Sequence, residues 1–143
     1  MNLYIHVPFC NGKCAYCAFY SEPRFSLPLW TAWRTRIEEE LERVSEPVTT
    51  LYLGGGTPTL APVDELEKLF RMLHRKLVFT ENSERSIECN PETVTPEKAA
   101  LLAEYFNRIS MGAQTFSAKL LKRIGRTASD PDVIRSAFGE LRR

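Results

Sequence analysis

Residues 48–77 read VTTLYLGGGTPTLAPVDELEKLFRMLHRKL. Val48 to Leu53, rich in β-branched and aromatic residues, reads as a strand that runs straight into Gly54, Gly55 and Gly56, then Thr57 and Pro58. From Val63 the period changes, and Val63, Leu66, Leu69, Phe70, Leu73 and Leu77 recur on one helical face. Strand, turn and helix form one unit, and the rest of the chain repeats it. Upstream, Leu3, Ile5 and Val7 alternate with Tyr4 and His6 as a strand ended by Pro8. Pro28 to Val44 is predicted helical, with Trp30, Trp33, Ile37, Leu41 and Val44 inward. Downstream, Arg85 to Cys89 and Arg108 to Met111 are predicted strands. Thr95 is predicted to cap a helix with Pro96 at its first position, ending near Tyr105. Ala118 to Ile124 is predicted to be a short helix, and Asp130-Pro131 to open another.

The order β-α-β-α-β-α-β-α predicts an α/β fold, a parallel sheet with right-handed crossovers and helices outside. Ligands in such sheets sit beyond the C-terminal ends of the strands. Every unusual cluster falls there. The first strand ends at a cysteine-rich loop and the second at GGGTP. The third ends at Glu88-Cys89-Asn90-Pro91 and the fourth at Gly112-Ala113-Gln114-Thr115. One site built from four strand ends is expected.

The cysteine-rich loop lies in HVPFCNGKCAYCAFY, residues 6–20, where Cys10, Cys14 and Cys17 form a C-x3-C-x2-C spacing. The chain has 143 residues, 43% apolar and 26% charged, which is ordinary for one globular domain with a real core. A net charge of +1 gives no case for a nucleic-acid surface, and no apolar run approaches a membrane span. The start, MNLYIHVPF, lacks the basic and long apolar stretches of a signal peptide, so a cytoplasmic location is expected. Thiols there stay reduced, and clustered cysteines point to metal rather than disulfides. Spacing alone leaves two metals open. An iron–sulfur cluster takes cysteines from a short loop. A zinc ion would need a fourth ligand such as His6 or Cys89.

CNGKCAYC (residues 10–17) resembles the C-x3-C-x-aromatic-C loop of the radical S-adenosylmethionine (SAM) superfamily. YIHVPFCNGKCAYCAFY, GGGTPTL, ECNPETV, NRISMGAQTF and RIGR, in that order, resemble one group within it. That group holds oxygen-independent coproporphyrinogen III oxidase and the HemW heme chaperone. The resemblance implies a partial (β/α)6 barrel with about four βα units present. It implies a [4Fe–4S] cluster on Cys10, Cys14 and Cys17, with the open iron chelated by SAM. An electron from the reduced cluster then splits SAM into methionine and a 5′-deoxyadenosyl radical. Gly55, Gly56 and Thr57 are expected along the methionine part of SAM. Glu88 is expected at the ribose hydroxyls or the ammonium, and Gln114 at the ribose. Arg126 is expected at the methionine carboxylate, and Tyr16 near adenine; Tyr4 also matches the family string. His6 is expected to be structural, Cys89 a buried thiol facing away from Glu88, and Lys13 a solvated loop residue.

The oxidase pattern carries a further cysteine two residues after the third, where this chain has Phe19. That resembles the HemW side, which implies heme or porphyrin as a partner of the full-length protein and a reducing partner such as a flavodoxin or ferredoxin. The oxidase activity and a non-catalytic metal-binding remnant are the alternatives. Tyr105 stands where the family commonly has glycine, and Ala128 where it commonly has histidine. Family members are much longer, so residues 1–143 are expected to be the N-terminal portion of a radical SAM core. A fourth strand with a free edge and an open half-barrel with apolar surface are expected to drive self-association.

Overall fold

The computed structural model describes all residues, 1–143. Four strands, β1 (Asn2–Val7), β2 (Val48–Gly55), β3 (Phe79–Cys89) and β4 (Arg108–Met111), form one sheet in the order β1-β2-β3-β4. Every neighbouring pair is parallel. The helices are α1 (Leu27–Leu41), α2 (Val63–Lys76), α3 (Pro96–Tyr105), α4 (Ala118–Arg123) and α5 (Pro131–Leu141). The expected α/β alternation is thus the observed one.

The caps follow from the residues that make them. Ser26, Thr95, Ser117 and Asp130 each accept a backbone N–H from the first turn of α1, α3, α4 and α5. Proline stands in the first turn of α1, α3 and α5, where its missing N–H costs nothing. α2 carries Asp64 and Glu65 in its first turn and His74, Arg75 and Lys76 in its last, as the helix dipole favours.

Alternation splits the sheet into two unlike faces. Ile5, Val7, Leu51, Leu53 and Ile87 share one face and are buried with Trp30, Leu66, Leu69, Phe70, Leu73 and Leu102 of the helices. The register pairs Tyr4 with Tyr52, His6 with Gly54, Tyr52 with Ser86, and Glu88 with Ser110 on the other face. That face has no helix layer. It is polar and aromatic, with Tyr4 exposed on it and Tyr16, Phe19 and Tyr20 exposed on the cysteine loop.

Three element boundaries differ from the sequence reading by more than one residue, the first being the end of α1 at Leu41, three residues before the expected Val44. β2 extends through Gly54 and Gly55, which pair with His6 and Val7, so two of the three glycines belong to the strand and not to the turn. β3 begins at Phe79 rather than Arg85, with a register shift that sets Val48 opposite Phe79 and Thr50 opposite Glu84. The extra residues of Thr80–Ser83 bulge out of that ladder, and their polar run shows no alternation to read.

Candidate functional site

The strand ends and the loops after them enclose a cavity of about 490 Å³. Cys10, Cys14 and Cys17 line it together with Tyr16, Gly55, Gly56 and Thr57. Glu88, Gln114 and Arg126 complete the wall. Of the residues singled out as ligands, Tyr4 alone does not line it. Its ring lies on Tyr52, 6.0 Å between centroids, and its hydroxyl bonds His6 Nδ1 at 3.0 Å.

The cysteine loop is fixed from beneath by aromatic packing. Phe9, next to Cys10, packs against Phe25, Trp30 and Trp33 with centroids 5.8–6.2 Å apart. Each such pair contributes about 0.5–1.5 kcal/mol beyond simple burial. Trp33 Nε1 donates to the His6 carbonyl at 3.1 Å, tying α1 to the end of β1. Cys10 N donates to the Glu22 carbonyl at 3.0 Å, and Lys13 Nζ donates to the Phe19 carbonyl at 2.6 Å. Lys13 therefore clips the loop closed, beyond the solvated role expected of it. His6 Nε2 meets the Tyr20 carbonyl at 2.9 Å. A carbonyl only accepts, so Nε2 carries a proton and donates to it. That is the structural role expected of His6.

The RIGR segment docks on the same loop. Ala15 N donates to the Ile124 carbonyl at 3.0 Å. Gly125 has φ +83°, and a Cβ there would stand 3.3 Å from the Lys13 carbonyl oxygen. Glycine answers both the left-handed conformation and the close approach.

The glycines at the end of β2 line the cavity and also admit neighbouring groups closely. A Cβ on Gly55 would lie 2.5 Å from the His6 ring, and one on Gly56 would lie 2.5 Å from the Phe9 carbonyl oxygen. Gly56 N and Thr57 N donate to the Val7 and Phe9 carbonyls, both at 2.7 Å. Their missing side chains let the end of β2 close on the root of the cysteine loop. Glu88 accepts from Gly55 N at 3.0 Å and from Tyr52 Oη at 2.7 Å, which pins its carboxylate at the cavity wall. Gln114 has φ 64°, the one non-glycine residue with a left-handed backbone. Such strain concentrates at functional sites.

Asn90 escaped the sequence reading. Its side chain joins Thr57 to Arg126, donating to Thr57 Oγ1 at 2.9 Å and accepting from Arg126 Nη2 at 2.6 Å. It sits in the ECNPETV block between a strand end and a proline, and that position was the available signal. Arg126 is buried, donates to Tyr16 Oη at 3.2 Å and has Glu92 at 4.0 Å, while its Nε has no partner. A buried guanidinium so thinly paired favours an anionic group in the cavity beside it.

Burial pushes the Cys10 thiol up, the Thr57 hydroxyl opposes this, and Cys17 and Cys14 add to it. Coordination to a cationic centre deprotonates thiols outright. No three His, Cys, Asp or Glu side chains come close enough to hold a single metal ion. One zinc, with Zn–S bonds of about 2.3 Å, needs its thiolates drawn to one point. A cube would instead take each cysteine on a separate iron. Burial pushes Cys89 up to about 12, and it stays a protonated core thiol.

The profile of the radical SAM superfamily matches residues 4–141, and the chain belongs to that family. Among relatives, the heme chaperone HemW of Lactococcus lactis subsp. lactis (strain IL1403) is 37% identical over 133 residues. That match covers 92% of this chain and 35% of the relative. HemW of Bacillus subtilis (strain 168) is 37% identical over 142 residues, covering 94% and 37%. The solved structure of Escherichia coli coproporphyrinogen III oxidase, a radical SAM enzyme, superposes with a TM-score of 0.87 at 28% identity. It matches 99% of this chain and 34% of its own. The chain thus spans about a third of the length of these relatives, and its sheet corresponds to part of a radical SAM barrel.

Proposed function

We propose that this chain binds a [4Fe–4S] cluster through Cys10, Cys14 and Cys17, binds SAM in the adjoining cavity, and serves heme metabolism as the HemW chaperones do. The observation that carries this reading is the convergence of three thiols, a pinned carboxylate and an underpaired buried guanidinium on one cavity. When bound, the cluster supplies an electron to the sulfonium of SAM. The chain's own residues hold and orient. Arg126 faces the methionine carboxylate, and Glu88 offers its remaining lone pairs to ribose or ammonium. Gln114 and Tyr16 border the nucleoside, with Gly55, Gly56 and Thr57 along the methionine. Residues 1–143 would be the N-terminal portion of a longer core, acting in the cytoplasm and reduced by a flavodoxin- or ferredoxin-like protein.

The oxidase reading has one observation in its favour, the likeness to the E. coli enzyme. Phe19 stands against it, because that side chain lies at the cavity where the oxidase pattern has a cysteine. Iron and acid-labile sulfide after anaerobic reconstitution test the cluster. Four of each per chain, lost in Cys10→Ala, are expected, and zinc in their place refutes it. The full-length protein should bind heme and leave coproporphyrinogen III unconverted; turnover of that porphyrinogen would establish the oxidase instead.

A further inference from the structure

The cavity wall contains a chain of hydrogen bonds whose direction is dictated from one end. Arg126 Nη2 donates to Asn90 Oδ1 at 2.6 Å. A guanidinium accepts nothing, so the amide oxygen of Asn90 faces Arg126 and the amide NH2 faces away. Asn90 Nδ2 then donates to Thr57 Oγ1 at 2.9 Å. The hydroxyl that accepts there keeps its own hydrogen to give, and Cys10 Sγ lies 3.8 Å from Thr57 Oγ1. Thr57 is 2% exposed, which leaves little solvent to compete for that hydrogen. Thr57 N is held by the Phe9 carbonyl at 2.7 Å, so the hydroxyl is carried on backbone fixed to the root of the cysteine loop.

We propose that Arg126 and Asn90 are positioning residues that hold the Thr57 hydroxyl hydrogen on Cys10 Sγ, and that this donor raises the reduction potential of the cluster bound there. This inference rests on the reading of Cys10 as a cluster ligand. A hydrogen bond to a ligating sulfur draws charge off it and so favours the more negative, reduced state.

The test is an EPR-monitored redox titration of the reconstituted cluster without SAM. In the Thr57→Val variant the shape is kept and the donor is lost. Its midpoint should fall, shifting the ratio of reduced to oxidised cluster by about tenfold at fixed poise, about 59 mV for one electron. Thr57→Ser keeps the hydroxyl and should titrate near wild type. Asn90→Ala frees the hydroxyl to turn and should also lower the midpoint, but it should add no further shift to Thr57→Val. That loss of additivity marks a relay. The proposal is overturned if Thr57→Val titrates with wild type, or if the Asn90→Ala shift persists in the Thr57→Val background. Wild-type protein that forms no cluster overturns the ligand reading itself, and the relay with it.

Discussion

A methyl group added to Gly56 would stand 2.5 Å from the Phe9 carbonyl oxygen and 2.9 Å from that of Val7. Both are backbone atoms and cannot swing aside. Gly56→Ala should therefore cost about 1–3 kcal/mol by overpacking, seen as a lower melting temperature. Gly139, exposed within α5, has nothing within 4 Å of an added Cβ. Gly139→Ala should gain about 0.5–1 kcal/mol, and a loss there would contradict the open surface described. The burial of Cys89 has a chemical counterpart. With its thiol pushed up to about 12, roughly one part in 10,000 is thiolate near pH 8, so iodoacetamide on the native apo-protein should reach it after the loop cysteines. Labelling of Cys89 as fast as Cys14 or Cys17 would show that it is not sealed in the core. At this scale the cysteines and Glu88 stand out as unusual residues at strand ends, while Thr57 and Arg126 are singled out only by the resemblance of their segments to family motifs. The structure brings all of them to one cavity. Asn90 does not stand out, because its importance comes from joining Thr57, 33 residues away, to Arg126, 36 residues away.

α2 shows what the elements hold beyond their periodicity. Its apolar stripe was readable, and Leu66, Leu69, Phe70 and Leu73 are fully buried. His74 on the same helix was not singled out, yet it packs between Phe79 of β3 and Tyr105 of α3, 5.0 Å from each ring. Burial, and then the Arg85 guanidinium, lowers its pKa below the usual 6.5, against weaker opposition from a backbone bond at Tyr105 and from Glu104. The folded state thus binds fewer protons than the unfolded one as pH falls past that value. His74 stabilises the fold fully above the unfolded pKa and loses that contribution as pH drops through the folded one. Between about pH 7 and about pH 5 the wild-type melting temperature should fall more than that of His74→Gln. Equal falls would remove His74 as the cause. The bulged start of β3 and the two strand glycines of β2 were illegible for one reason. Pairing with a neighbouring strand fixes them, and alternation within the strand does not.

At the scale of the whole molecule, one sheet face is covered by helices and the other, carrying Tyr4, His6, Tyr52 and Glu88, is bare. β4 has a partner on one side only. No helix is long and apolar enough to cross a membrane. An unpaired edge beside a bare face favours pairing with another chain. Sedimentation velocity should show assemblies larger than the 16.4 kDa monomer as concentration rises. A single monomeric species that unfolds in one sharp transition would contradict that expectation. The alternation of strands and helices made the architecture legible, and the chain's membership of the radical SAM superfamily agrees with it. The character of the bare face was not foreseen, although its tyrosines, glutamate and serines sit at alternate strand positions.

The central claim is that three thiols and four strand ends make one cofactor site. Its most direct measurement is EPR of the anaerobically reconstituted, reduced protein with and without SAM. The expected result is a [4Fe–4S]⁺ signal that changes on adding SAM, which requires an accessible iron beside a formed cavity. A cluster signal indifferent to SAM, or bound zinc with no cluster signal, would contradict it.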